Sequence, residues 1–131
     1  CALEELAVQL ACDRIDKQGI HKLQQAAKNF ASVLDSEDIT KIAEADVAFH
    51  DIIYMATENQ RLIQLLNNLR EQMYRYRIEY LKKKEYYPRL LAEHQDIIQA
   101  IANREHERAT KITSQHIDNQ VETVADTLRH K

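Results

Sequence analysis

Apolar residues recur along this chain at intervals of three and four positions, which is the spacing of one face of an α-helix. The clearest stripe comprises Ile39, Ile42, Phe49 and Ile53. Stripes of the same period run from one end of the sequence to the other, without an internal repeat or a low-complexity tract. The pattern therefore predicts an all-α protein.

Capping and helix-breaking residues divide the first half of the chain. A first helix is predicted from about Ala2 to Lys17, with Gly19 after it in the left-handed position that ends many helices. Its apolar stripe is formed by Leu3, Leu6, Ala7 and Leu10. A second helix carries the stripe Ile20, Leu23, Ala27, Phe30 and Leu34. A third helix is predicted to follow the N-cap candidates Asp35 and Ser36 and to end near Thr57.

Three more helices are predicted in the second half. After a break at Asn59, a fourth helix carries a continuous seam from Leu62 through Leu69 to Tyr80. Pro88 suits the first turn of a fifth helix. A short break at residues 103–105 precedes a sixth helix, whose stripe is Ala109, Ile112, Ile117, Val121, Val124 and Leu128. Amphipathic helices with short links predict an antiparallel bundle of six to seven helices.

Length, composition and charge narrow the possible folds and functions further. With 131 residues the chain is long enough for one domain. A single glycine and a single proline exclude the glycine-rich phosphate loops and disfavour folds of many short strands. The net charge of −3 is not that of a free-standing nucleic-acid binder. The longest apolar run, Ile52–Ala56, is too short to span a membrane.

The cysteines indicate the cellular location of the protein, and the first residue bears on the extent of the sequence. Cys1 and Cys12 fall in one predicted helix, where about 1.5 Å of rise per residue keeps them too far apart for a mutual disulfide. We therefore expect a reducing, cytoplasmic location. The helical pattern begins at the first residue without an initiator Met, so we expect this sequence to be part of a longer protein.

Polar residues interrupt three of the apolar stripes. Asp46 and His50 lie four residues apart on the stripe of the third helix. His94 takes a position on the stripe of the fifth helix, and His116 on that of the sixth. The stripes thus predict that one carboxylate and three imidazoles face inward from three helices.

Two interpretations of this group remain open. A buried charge is costly unless it is paired or coordinates a metal, and a mixed nitrogen and oxygen set suits a divalent Zn, Ni, Mn, Co or Fe ion. Alternatively, each histidine is an ordinary hydrogen-bonded core residue, and Asp46 and His50 pair with each other. His21, His106 and His130 lie at helix ends and are weaker candidates.

Enzymatic interpretations find less support. The sequence lacks the Glu-x-x-His pairs of a di-iron bundle and the H-E-x-x-H pattern of zinc proteases. A hydrolytic site with a single metal remains the alternative function, and an interaction bundle without metal is a third. We therefore expect no enzyme and no catalytic residue. Arg14, Arg70 and Arg77 lie on or beside inward stripes and are candidates for holding an anion.

One family combines these features in this order. The stretch Asp46-Val-Ala-Phe49-His50, then Asn59 and Leu62, then Glu93-His94 and finally Ala109 and His116 resembles the FCD domain. This is the C-terminal effector-binding domain of FadR-type regulators in the GntR family of bacterial transcription regulators. The resemblance covers nearly the whole chain.

The resemblance implies a metal-dependent sensor. Asp46, His50, His94 and His116 take the places of the family's metal ligands, and Zn, Ni or Mn is the expected ion. The effector is expected to be a small carboxylate or sugar acid, with Arg14, Arg70 and Arg77 as its partners. Operator DNA would be bound only through an N-terminal winged-helix domain that this sequence does not contain. We further expect a homodimer and no membrane contact.

Overall fold

The computed structural model describes residues 2–129, with the side chains of residues 2–123 and 125. This part of the chain contains no strand and confirms the predicted all-α fold. The seven α-helices are α1 (Ala2–Arg14), α2 (Lys17–Val33), α3 (Ile39–Ala56), α4 (Gln60–Asn68), α5 (Arg70–Leu81), α6 (Tyr87–Ala102) and α7 (His106–Arg129). Short 3-10 turns, Leu34–Ser36 and Lys84–Tyr86, precede α3 and α6. No described helix has both the length and the apolar character needed to cross a membrane.

Side-chain caps begin three of the helices. Asn59 Oδ1 accepts a hydrogen bond of 3.0 Å from the backbone N–H of Leu62, which confirms the predicted break between α3 and α4. Asp38 caps α3 by accepting from the N–H of Lys41. Pro88 lies in the first turn of α6, as its fixed φ angle predicts.

The sequence-based boundaries at the start of α2 and α3 were wrong. The first helix ends at Arg14, and Asp16 caps α2 by accepting a hydrogen bond of 2.7 Å from the N–H of Gly19. Gly19 therefore lies in the first turn of α2, where a Cβ atom would come within 2.6 Å of Ile15 Cγ1. The N-cap of α3 is Asp38, because Asp35 and Ser36 are part of the preceding 3-10 turn.

The predicted fourth helix is two helices. The helix is interrupted at Leu69, which has φ −96° and ψ −3°, and α5 starts at the next residue. Leu62 and Leu66 of α4 pack against Ala7 of α1, whereas Tyr80 of α5 packs in a separate apolar cluster with residues of α2, α3 and α6. The break allows the two segments to cover different parts of the core.

Two helices turn different faces inward from those predicted. The buried face of α1 comprises Glu4, Ala7, Val8, Ala11 and Cys12, whereas 44% of Leu6 is exposed. The small alanines allow α1 to lie close to α3 and α7, and the leucines lie at the side of this contact. The buried face of α7 comprises Ala109, Thr113, His116, Gln120 and Thr123, whereas 42% of Val121 is exposed.

The polar face of α7 points to a polar centre in the bundle, since α7 packs against α1, α5 and α6. The predictions made for Cys1 and His130, and for the side chains of Val124 and Leu128, lie outside the described residues. Cys12 is a buried free cysteine, and burial raises the pKa of its thiol to about 11.

Candidate metal centre

All four residues that the sequence predicts as metal ligands are buried in the middle of the bundle. The exposed fraction is 1% for Asp46 and His94, 2% for His116 and 7% for His50. Asp46 and His50 come from α3, and α6 and α7 each contribute one histidine. The structure places one ligand-capable atom of each of Asp46, His50 and His116 within 4.8 Å of the other two.

His94 is held beside this group by stacking and by one hydrogen bond. Its ring stacks on Phe49 at 4.3 Å between centroids and meets the edge of Phe30 at 4.5 Å. Its Nε2 donates a hydrogen bond of 2.8 Å to Asp46 Oδ1. The ring centroid lies 6.2 Å from that of His50, so His94 contacts the group through Asp46.

Asp46 is the anionic centre of the site. Its Oδ1 lies 3.5 Å from His50 Nε2, and its Oδ2 accepts a hydrogen bond of 2.5 Å from Arg77 Nε. Burial opposes ionisation, but the electrostatic interactions with His50 and Arg77 and the hydrogen bond to His94 outweigh it and hold the pKa of Asp46 well below its usual value. Arg77, with 6% of its surface exposed, therefore reaches into the bundle and neutralises a buried carboxylate.

A second carboxylate orients His116. Glu93 Oε2 accepts a hydrogen bond from His116 Nδ1, which fixes the ring orientation and leaves Nε2 as the nitrogen that can accept or coordinate. The amide nitrogen of Gln120 lies 3.4 Å from this Nε2. Burial lowers the pKa of His116, but the hydrogen bond to Glu93 and the nearby carboxylates outweigh it, so the pKa is raised.

Two imidazole nitrogens of the candidate site, His50 Nε2 and His94 Nδ1, are buried without a hydrogen bond. His50 Nε2 is buried without a hydrogen bond, although 3.5 Å separate it from an ionised carboxylate oxygen. A divalent cation would satisfy this nitrogen, His116 Nε2 and Asp46 together, and imidazole with carboxylate is a donor set that such ions accept. The residues present therefore fit a metal ion.

A small cavity adjoins the centre. It has a volume of about 20 Å³, and its lining comprises Val47, His50, Asp51, Tyr54, Leu66, Arg70, Met73 and Arg77. This is space for about one water molecule. Arg70 lies at its outer edge and pairs with Asp51 at 2.8 Å, with 43% and 40% of the two side chains exposed.

Arg14 does not take the inward position predicted for it. It is exposed, and its guanidinium donates a hydrogen bond of 2.5 Å to the carbonyl of Thr57. It lines a separate open depression of about 410 Å³ at the ends of α1 and α3. The prediction followed the leucine stripe of α1, and the buried stripe of that helix lies on another face.

The structure adds residues that the sequence analysis did not single out. Glu93 was named only as part of the family resemblance and was given no role in the site, although it lies three residues after Leu90 and four before Ile97, both of which are buried. Glu4 is 3% exposed and accepts a hydrogen bond from the hydroxyl of Tyr54. Its spacing from Ala7 and Val8 is the signal that could have placed it on the inward face.

The fold and the site together define an all-helical domain with a buried, metal-compatible group at its centre. The family model of the FCD domain matches residues 1–119. The chain therefore belongs to the FCD domain family, and the resemblance found in the sequence is confirmed.

The chain is also similar to one curated regulator and, in its fold, to one solved structure. The HTH-type transcriptional regulator RmpR of Mycobacterium gastri is 30% identical over 128 residues, which are 96% of this chain and 46% of the relative. The chain thus spans about half the length of that curated relative. The structure of E. coli McbR/YncC shares the fold, with a TM-score of 0.78 and 19% identity over 92% of this chain and 63% of that chain.

Family membership decides between the classes left open by the sequence. The FCD domain and the regulator relative identify a regulatory, ligand-sensing type of domain and not an enzyme. Family membership therefore argues against the alternative of a bundle hydrolase.

Proposed function

We propose that this chain is the metal-dependent effector-sensing domain of a GntR/FadR-type transcription regulator, and that its effector is a small organic acid. The single observation that carries the proposal is the buried group of Asp46, His50 and His116, with His50 Nε2 unsatisfied at its centre. A divalent cation would satisfy His50 Nε2 and would at the same time be coordinated by His116 and the carboxylate of Asp46.

In this proposal the ion is held by Asp46, His50 and His116, with His94 as the fourth ligand. When bound, it supplies a fixed positive charge to which a carboxylate can bind. Glu93 keeps the His116 ring in position, and Arg77 keeps the Asp46 carboxylate ionised and in place. Zn, Ni or Mn suits this donor set.

Arginines on one face of α5 support an anionic effector. Arg77 and Arg70 both line the small cavity beside the centre, and a guanidinium forms paired, charge-assisted hydrogen bonds with a carboxylate. Arg14 lies outside this cavity, so its role would need a second binding position. We therefore rank Arg77 and Arg70 before Arg14 as effector partners.

The whole regulator would bind operator DNA through an N-terminal winged-helix domain and act as a cytoplasmic homodimer. The relative RmpR, named as an HTH-type regulator and about twice the length of this chain, supports this architecture. The effector would then change the affinity of the full-length protein for DNA.

Elemental analysis of the purified chain after loading with Zn²⁺ and desalting tests the metal. We expect about one ion per chain, because the site is closed and buried on all sides. His116→Ala is expected to abolish most of this binding. His106→Ala is the matched control, since His106 pairs with Asp13 at the surface and is expected to leave the metal content unchanged.

Two outcomes would contradict the metal centre. Less than about a tenth of an equivalent in the unaltered chain would indicate adventitious binding rather than a closed site. Equal metal content in the His106→Ala and His116→Ala variants would place the ion elsewhere in the protein.

A further inference from the structure

On one side, the cavity beside the candidate metal centre is closed only by a salt bridge near the surface. Of the lining residues, His50, Leu66 and Arg77 are buried and the remaining ones are half-buried, except for Arg70. Arg70 is exposed, and its salt bridge with Asp51 closes the side of the cavity that faces solvent.

The cavity is too small for an organic acid as it stands. About 20 Å³ holds roughly one water molecule, whereas pockets for small organic ligands are usually ten times larger or more. An acid can therefore reach Arg77 and the centre only if part of the wall moves. The exposed Arg70–Asp51 pair is the part that can move at least cost, because surface ion pairs contribute little to stability.

The geometry of this pair is that of an arginine holding a carboxylate ligand. Arg70 Nη2 donates to Asp51 Oδ1 at 2.8 Å, and Nη1 donates to Oδ2 at 3.3 Å. The same two-point contact would form with a carboxylate of an effector. Nη2 also donates to Asn67 Oδ1 at 2.8 Å. Asp51 is thus the only carboxylate among the described partners of Arg70, and it occupies the two donors that such an effector needs.

We propose that Asp51 is an internal competitor of the effector. Arg70 exchanges the carboxylate of Asp51 for a carboxylate of the acid, and this exchange opens the cavity toward Arg77. The inference rests on the proposed function and narrows its ligand class. Arg70 and Arg77 are seven residues apart on α5, about 10 Å along the helix axis, so a short acid with two or more carboxylates would engage both ends of the cavity.

Titration calorimetry of the Zn²⁺-loaded chain with L-malate and with citrate tests this exchange. Asp51→Asn is expected to lower the Kd by about two- to fivefold, the range that an exposed ion pair supplies. Arg70→Gln is expected to raise the Kd about tenfold or more, because it removes the charged donors. The double variant is expected to bind like Arg70→Gln, since the competitor no longer has a target.

A matched control separates this exchange from a general change in charge. Asp96→Asn makes the same substitution at a half-exposed aspartate, which lies 3.7 Å from Arg108, and it is expected to leave the Kd unchanged. Zinc content is measured for every variant, so that affinities are compared at equal loading.

Two results would overturn the competitor role while the proposed function stands. One is that Asp51→Asn binds the acids no more tightly than Asp96→Asn does. The other is that Asp51→Asn tightens binding equally in the Arg70→Gln background. If neither acid binds the unaltered Zn²⁺-loaded chain, the inference fails together with the organic-acid part of the proposed function.

Discussion

Asp46 joins three other side chains of the candidate centre through its two carboxylate oxygens. Its two oxygens contact His94, His50 and Arg77, all of them buried. A buried ion pair adds little net stability, but removal of one partner leaves the other charge uncompensated in a medium of low dielectric constant. Asp46 and Arg77 are therefore expected to be strongly coupled.

Asp46→Asn is expected to destabilise the metal-free chain by about 3–5 kcal/mol, because it leaves the Arg77 guanidinium buried without a counter-ion. Urea unfolding measures the change in the free energy of unfolding. Arg77→Met in the Asp46→Asn background should recover much of the loss, since it removes the uncompensated charge. Arg77→Met alone is measured as well. If the double variant loses as much stability as the two single variants lose together, Asp46 and Arg77 are not coupled.

At this scale, the sequence predicted side-chain direction better than side-chain partners. The inward orientation of Asp46, His50, His94 and His116 is confirmed by their burial. Asp46, His50 and His94 lie on apolar stripes that are themselves buried, whereas His116 is buried although α7 turns a different face inward from its predicted stripe. Their role as metal ligands stays a prediction. The contacts of Arg77 with Asp46 and of Glu93 with His116 join different helices, and helical periodicity carries no information about such pairs.

Among the elements, α4 shows how a local signal sets a helix boundary. Asn59 ends the connection from α3 and caps α4 with its side-chain oxygen. The following helix has only nine residues, so its stability depends on this cap and on the contacts of Leu62 and Leu66.

Asn59→Ala is expected to lower the free energy of unfolding by about 1 kcal/mol, the usual effect of losing an N-cap side chain. Chemical denaturation of both proteins measures it. Asn68→Ala offers a control, because Asn68 is exposed at the other end of the same helix and should stay within about 0.5 kcal/mol of the unaltered chain. A similar loss in both variants would show that the cap does not stabilise α4.

The sequence analysis did not predict the break between α4 and α5, because this break depends on tertiary packing. Leu69 continues the apolar seam of its neighbours, so nothing local marks the break between α4 and α5. The break is explained by the two different apolar clusters that the helices cover. Gly19 was misplaced for a local reason: a glycine after a helix is a common ending, but here the side chain of Asp16 caps α2 and places Gly19 in the first turn of that helix.

For the molecule as a whole, the candidate centre joins helices that are far apart in the chain. The four residues proposed as its ligands come from α3, α6 and α7, and α5 contributes Arg77. An ion bound there would be bound by the folded state alone, so it would stabilise the entire bundle by mass action.

Removal of the metal is accordingly expected to lower the melting temperature of the loaded chain. At a free metal concentration a thousand times the Kd, the stabilisation is about 4 kcal/mol, which corresponds to about 10–20 °C for a domain of this size. Differential scanning calorimetry with and without a chelator measures the shift. The His116→Ala variant should show little response to the chelator, and a full response in that variant would contradict the proposed ligand set.

Glu93 and His94 are consecutive residues, yet they bind different helices: Glu93 contacts His116 of α7, and His94 contacts Asp46 of α3. One extra residue placed before this pair within α6 would turn both side chains by about 100° and separate α6 from both neighbours at once. An extra residue in the link at residues 103–105 would leave the pair in register with α3. An inserted residue is therefore expected to be tolerated in this link and to destabilise the domain when it lies within α6.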